Sequence, residues 1–199
     1  MLKVFLNEVG INDITIDNRT YNKGQIIHSP TDSCDGLFMV DKGVLRIYII
    51  SPEGKEVTLY RLKEGEICLF SAACIFNSIS FDIYISADTD CHIEVLPISE
   101  YKTIENIHLS KKIDEIMANR MGAVIGLVND ILWQSMDQRI LNFLSELAID
   151  QSSNTIKITH EEIALHLGTA REVVSRTLKY MEGEGLVSLS RGEIELINH

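Results

Sequence analysis

The sequence predicts an α+β chain in three parts: an N-terminal β-roll, a long helix and a C-terminal winged helix-turn-helix. Three observations predict it. Glycines punctuate short β-like runs between residues 14 and 98. A proline-free stretch, 108–134, then carries apolar residues at helical spacing. Near the C-terminus two capping signatures, Thr159 with Glu162 and Thr169 with Glu172, flank Gly168. The expected boundaries are 1–107 for the roll, 108–134 for the long helix and 135–199 for the winged helix-turn-helix.

In the roll, glycines stand at 24, 36, 43, 54 and 65. Between them lie LFMV, VLRIYII and EVTLYRL, runs rich in branched and aromatic residues. Lys42-Gly43 and Glu53-Gly54 read as tight turns, the second with Pro52 ahead of it. The run 81–98 supplies two strands around Asp88-Thr89-Asp90. Short strands at roughly 8–12-residue spacing suggest a barrel or jelly roll.

After Pro97 the period changes. Ile113, Met117, Val124, Leu127 and Ile131 fall on alternating steps of three and four, a heptad-like seam. Such a helix packs on its own roll or pairs with a second chain, and its spacing suits both on different faces. The seam residues are the candidate dimerisation set. Gly122 and Gly126 share a face, which suits close packing or room for a ligand. Arg120 falls in the seam, where a charge is unusual; it reaches solvent, sets the dimer register or holds an anion. Ser135 with Gln138 fits a capping box, so a break at 134–136 and a new helix to about 150 are expected.

The C-terminal segment carries the strongest functional signal. Thr159 and Glu162 start one helix, with Ile163, Ala164 and Leu167 on its inner side and Gly168 at its end. A second helix to about Glu182 turns Val174 and Leu178 inward and leaves Arg171, Glu172, Ser175, Arg176 and Lys179 outside. Arginine suits guanine O6 and N7, and glutamate can accept from cytosine N4. Serine and lysine suit phosphates. LVSLSRGEIEL alternates around Arg191-Gly192 and reads as a hairpin wing. Thr169 and Arg191 complete the candidate DNA-contact set. The bland alternative is that REVVSR is a solvated charged face; a different function would be a ligand-binding roll module whose winged helix serves protein contacts.

Bulk properties constrain this reading. The chain has 199 residues, 45% hydrophobic and 24% charged, ordinary for a globular protein. No apolar run approaches the roughly 20 residues of a membrane span. Acids interrupt the apolar start MLKVFLNEVGIND, so no signal peptide is expected. Four cysteines without a secretory signal imply free thiols in the cytoplasm. The net charge of −11 argues against a basic footprint over the whole surface, but a contact face can be locally basic.

The segment GTAREVVSRTLKYMEGEGLV (168–187), together with SMDQRI at the helix break and ISPEGKEVTLYRL in the roll, resembles the Crp/Fnr family of bacterial transcription regulators. The resemblance runs over nearly the whole chain. It implies a cyclic-nucleotide-binding-like jelly roll and a homodimer joined along the long helix. It also implies RNA polymerase as a partner, beside the double-stranded DNA already expected from the outer face of the second helix. Arg171 and Arg176 would read guanines, Glu172 cytosine, and Ser175 a thymine or the backbone. The operator would be near-palindromic, with half-sites similar to TGTGA or TTGA.

The effector is not legible. Cyclic-nucleotide members hold the phosphate with an Arg-Ser pair after a Gly-Glu-Leu segment. Here Gly65-Glu66-Ile67 is followed by Phe81-Asp82 at those positions, and Val124 and Ile125 offer no hydroxyl, which argues against cyclic AMP. Residues 1–33 contain no cysteine, which argues against an iron–sulfur cluster. The six histidines lack metal-ligand spacing, so an enzyme on this roll is not expected. Haem stays open: Cys68 sits where haem-binding members carry a ligand, but Phe70 replaces the following histidine, and His92 or His28 would have to substitute. A thiol switch between Cys68 and Cys74 needs a turn at 71–73, because a strand would hold the two about 20 Å apart. The remaining reading makes the cysteines small core residues. Cys68, Cys74 and Arg120 are the candidate effector or redox residues.

Overall fold

The structure, a computed structural model, describes residues 1–32, 35–68 and 83–197. The chain begins with helix α1 (Leu2–Glu8), followed by strands β1 (Asp17–Tyr21), β2 (Ile26–His28), β3 (Gly36–Lys42), β4 (Leu45–Ile50), β5 (Glu56–Leu62), β6 (Ile67–Cys68), β7 (Ile83–Ala87) and β8 (Cys91–Pro97). These form two four-stranded sheets, ordered β1-β8-β3-β6 and β2-β7-β4-β5. The short helix α2 (Ile98–Tyr101) leads to the long α3 (Ile107–Trp133). Then come α4 (Met136–Gln151), β9 (Thr155–Lys157), α5 (His160–Leu167), α6 (Arg171–Gly183), β10 (Val187–Ser190) and β11 (Glu193–Leu196). Two compact units result: Met1–Ile50 with Leu59–Ile125, and Ser51–Thr58 with Gly126–His199.

The roll follows from period-two alternation. Phe38 and Val40 of β3, Leu45 and Ile47 of β4, Ile83 and Ile85 of β7, and Ile93 and Val95 of β8 meet between the sheets. Leu37 and Met39 point the other way. They join Leu96, Ile67, Leu2 and Leu6 of α1, and Leu109 and Ile113 of α3 in a second cluster. Covered on both faces, β3 reads as an unbroken apolar run rather than an alternating one. The glycine turns hold as expected. At Gly43 φ is +91°, and a Cβ there would lie 2.4 Å from the Asp90 carbonyl oxygen, so only glycine fits.

Several expectations change. Ile113 does not belong to an outward seam; it is buried against the roll. Val124 and Leu127 are half-buried, whereas Met117 and Ile131 are exposed. The exposed stripe of α3 runs through Met121 (62% exposed), Ile125 (54%), Val128 (48%) and Leu132 (63%), in steps of four, three and four. The helix is thus rotated by about one residue from the expected phase, because its opening turns face the roll. Asn106 starts α3: its Oδ1 accepts from the amides of His108 and Leu109, and its Nδ2 donates to the Val9 carbonyl. Among the described residues a Cβ at Gly122 or Gly126 would meet nothing within 4 Å, so packing against them requires neither glycine.

The break at 134–135 is present, with Ser135 at the N-cap position of α4. Its hydroxyl does not cap the helix; it bonds to Asp137, and that bond holds the Asp137 carboxyl below the usual range. Among the described residues no helix is long and apolar enough to cross a membrane.

Candidate nucleic-acid interface

Two short-range signals and one longer contact position the helix pair. Thr159 accepts from the Glu162 amide while the Glu162 carboxylate accepts from the Thr159 amide, so α5 begins with a complete capping box. Gly168 ends α5 in the left-handed region at φ +65°, where a side chain would be strained. Arg139 of α4 donates to the Leu167 carbonyl at 2.7 Å and fixes that end; the sequence reading missed this contact. The turn brings the chain round so that α6 starts at Arg171.

The expected cap at Thr169 is not formed. Ala170 is the N-cap residue and carries no side-chain cap, while the Thr169 amide bonds to the Ala164 carbonyl. The glycine turn spends Thr169 on closing α5, so α6 begins one residue later than the capping pattern suggests.

Val174, Leu178 and Met181 of α6 are fully buried against Ile163 and Ala164 of α5 and Ile140 and Leu144 of α4. That packing fixes the rotation of α6. It leaves Arg171, Glu172, Arg176 and Lys179 exposed and Ser175 half-buried, and these five side chains line one open surface depression. The face carries three cations and one acid on a chain of net charge −11. At 13 residues α6 is about 20 Å long, a length that lies within a major groove. Ser175 Oγ lies 2.8 Å from His160 Nδ1. The wing is the β10–β11 hairpin, turning at the exposed Arg191 and Gly192, and β9 pairs with β11 as a third strand.

In the first unit the described residues include two of the three candidate effector residues, Cys68 and Arg120. Cys74 lies outside the described residues, as do Cys34, Phe70, the 71–73 turn and the Phe81-Asp82 positions. Cys68 is completely buried in the roll core, withdrawn from solution oxidants. Arg120 turns toward the roll: its Nη2 donates to Glu66 Oε1 at 2.8 Å, and its guanidinium lies 5.0 Å from the Tyr60 ring centroid. Glu66 also accepts from the Lys63 amide. Burial pushes the Tyr60 hydroxyl far above its ordinary range, with Cys68 adding to the shift and Arg120 opposing it. His92 pairs with Asp41 at 2.9 Å. Among the described residues no three metal-ligating side chains come together.

Comparison with known proteins decides the family. The family profile of the Crp-like helix-turn-helix domain matches residues 138–199, and that of the cyclic nucleotide-binding domain matches 18–105. A solved transcriptional regulator of the Crp/Fnr family from Eubacterium rectale is 43% identical, with a TM-score of 0.87 over 92% of this chain and 86% of that one. The chain belongs to the Crp/Fnr family. It is a DNA-binding transcription regulator, and the expected fold, a roll, a long helix and a winged helix-turn-helix, is the one observed. The cAMP-activated global regulator Vfr of Pseudomonas aeruginosa is 25% identical over 85% of this chain and 84% of its own length. The c-di-GMP-responsive regulator CLP of Xanthomonas campestris shares the fold, with a TM-score of 0.79 at 18% identity over 92% of this Crp/Fnr chain and 95% of its own. The relatives named here are transcriptional regulators.

Proposed function

We propose that this regulator acts as a cytoplasmic homodimer on near-palindromic double-stranded DNA, under the control of an effector held by the roll. Residues 1–107 sense, 108–134 dimerise and 135–199 bind DNA. The observation that carries the reading is the outer face of α6, where packed Val174 and Leu178 hold Arg171, Glu172, Ser175, Arg176 and Lys179 outward together. Arg171 and Arg176 read guanines, Glu172 reads cytosine, and Lys179, Thr169 and Arg191 bind the backbone. The apolar stripe Met121, Ile125, Val128 and Leu132 pairs with its copy, with Met117 and Ile131 beside it. Family resemblance makes RNA polymerase the protein partner.

The effector site centres on Tyr60, Glu66, Cys68 and Arg120. Arg120 is already paired with Glu66, so an anionic effector has to compete with a carboxylate held at 2.8 Å. The effectors of two relatives, cAMP for Vfr and c-di-GMP for CLP, differ from each other, so the effector does not follow from the fold.

Replacing Arg176 with alanine tests the base-reading role. The expected loss is about 1–3 kcal/mol of operator affinity, with discrimination relaxed at one base pair. The measurement is a binding series over single-base variants of a duplex enriched from a random pool. An equal loss on every sequence would make Arg176 a phosphate contact.

A further inference from the structure

The contact between His160 and Ser175 is not used by the reading above, although it joins the first residue of α5 to the middle of the recognition face. His160 also lines an open cleft of about 440 Å³ between the start of α5, the first residue of α6 and the wing. Three charged groups line that cleft beside it: Arg171 from α6, Glu161 from α5 and Glu193 from β11. Glu193 lies 3.7 Å from Lys157 Nζ.

We propose that His160 is a positioning residue for DNA recognition, whose proton decides whether Ser175 meets the DNA as a hydrogen-bond donor or only as an acceptor. The chemistry lies in the shared hydrogen bond. When His160 Nδ1 is unprotonated it accepts a hydrogen bond from the Ser175 hydroxyl, and Ser175 then presents lone pairs alone to the DNA. Phosphate oxygens, guanine N7 and thymine O4 are all acceptors, so that arrangement repels them. When Nδ1 carries a proton it donates to Ser175 Oγ, and the Ser175 O–H is free to donate a hydrogen bond to the DNA. The neutral Nδ1–H tautomer achieves the same orientation, but only the imidazolium adds a cation next to a polyanion. Bound DNA therefore favours protonated His160.

The direction with pH follows. In the free protein, burial and then the nearby Arg171 guanidinium hold the His160 ring below its ordinary range. The folded unit thus takes up the proton less readily than the unfolded chain, and protonating His160 weakens the fold as pH falls through the usual histidine range. DNA binding has the opposite sign: phosphates raise the proton affinity of His160, so binding takes up a proton and tightens as pH falls. A purely structural role moves only the first quantity.

The inference rests on α6 reading bases, and one experiment separates the two. Affinities of the native protein, His160→Asn and Ser175→Ala for an enriched duplex and for a random duplex are measured from about pH 8 to pH 6. One proton changes affinity by at most about tenfold per pH unit. The native protein should gain affinity for the enriched duplex more steeply than His160→Asn. That difference should shrink when both proteins also carry Ser175→Ala, leaving only the direct pull of the phosphates on the ring. Parallel native and His160→Asn curves, or a difference that Ser175→Ala leaves unchanged, would overturn the proposal. A native protein without sequence preference at any pH would instead remove the base-reading role beneath it. If His160→Asn does not fold, NMR titration of the native ring replaces it. A rise in the His160 midpoint on adding the duplex that is smaller in Ser175→Ala supports the proposal, and an unchanged or lower midpoint, or the same rise in both proteins, refutes it.

Discussion

Substituting Val128 with lysine should turn the protein into a monomer and lower its operator affinity by about a hundredfold or more. Val128 is 48% exposed in the single chain and sits between Ile125 and Leu132 on the apolar stripe of α3. In a parallel two-fold seam each such residue meets its own copy, so the substitution places two ammonium groups face to face without a partner. The fold of the single chain should be untouched, because the position is open in it. The loss of affinity is the loss of linkage: two half-sites joined in one dimer gain about 10²–10⁴ in avidity over separate units. Sedimentation and DNA titration at one protein concentration check both halves. A variant that stays dimeric would move the interface off this stripe.

Leu178→Ala should cost about 2–5 kcal/mol of stability in the DNA-binding unit. Leu178 has no exposed surface and sits in the cluster where α4, α5 and α6 meet. The cavity left there has few ways to collapse, because the residues around it come from three helices and the wing. For a unit of this size the melting temperature should drop by on the order of 10 °C or more. Calorimetry should show the transition of this unit shifted and that of the roll unchanged. DNA binding should fail at the temperature where this unit melts.

Most of the fold could be read from local signals. Glycines at turns, the Asp88-Thr89-Asp90 corner, the break before Met136 and the Thr159–Glu162 box each act within a few residues, and the structure shows all four. What could not be read depends on distant partners. Helix α1 is seven residues long and is held by Leu2 and Leu6 against the roll, so its own sequence carries little helical signal. Strand β9 has three residues and exists because β11 pairs with it.

The phase of α3 illustrates the limit more sharply. A 3.5-residue period fits two adjacent faces of one helix, and only the docking of Leu109 and Ile113 on the roll decides which face stays open. The same rotation takes Arg120 out of the seam and onto Glu66, 54 positions earlier in the chain. The candidate DNA face was legible because one buried pair, Val174 and Leu178, sets it. The partner of Ser175 was not, because His160 belongs to another helix and nothing in its spacing marks it.

The reading of this chain as a sequence-specific regulator is tested most directly by comparing affinity for an enriched palindromic duplex with affinity for a random duplex, at about 50 mM and 200 mM salt. With only three cations on the recognition face of an acidic chain, binding to the random duplex should be weak and strongly salt-dependent. The enriched palindrome should be preferred by about a thousandfold or more at the higher salt. Equal affinity for the two duplexes at both salt concentrations would contradict the account.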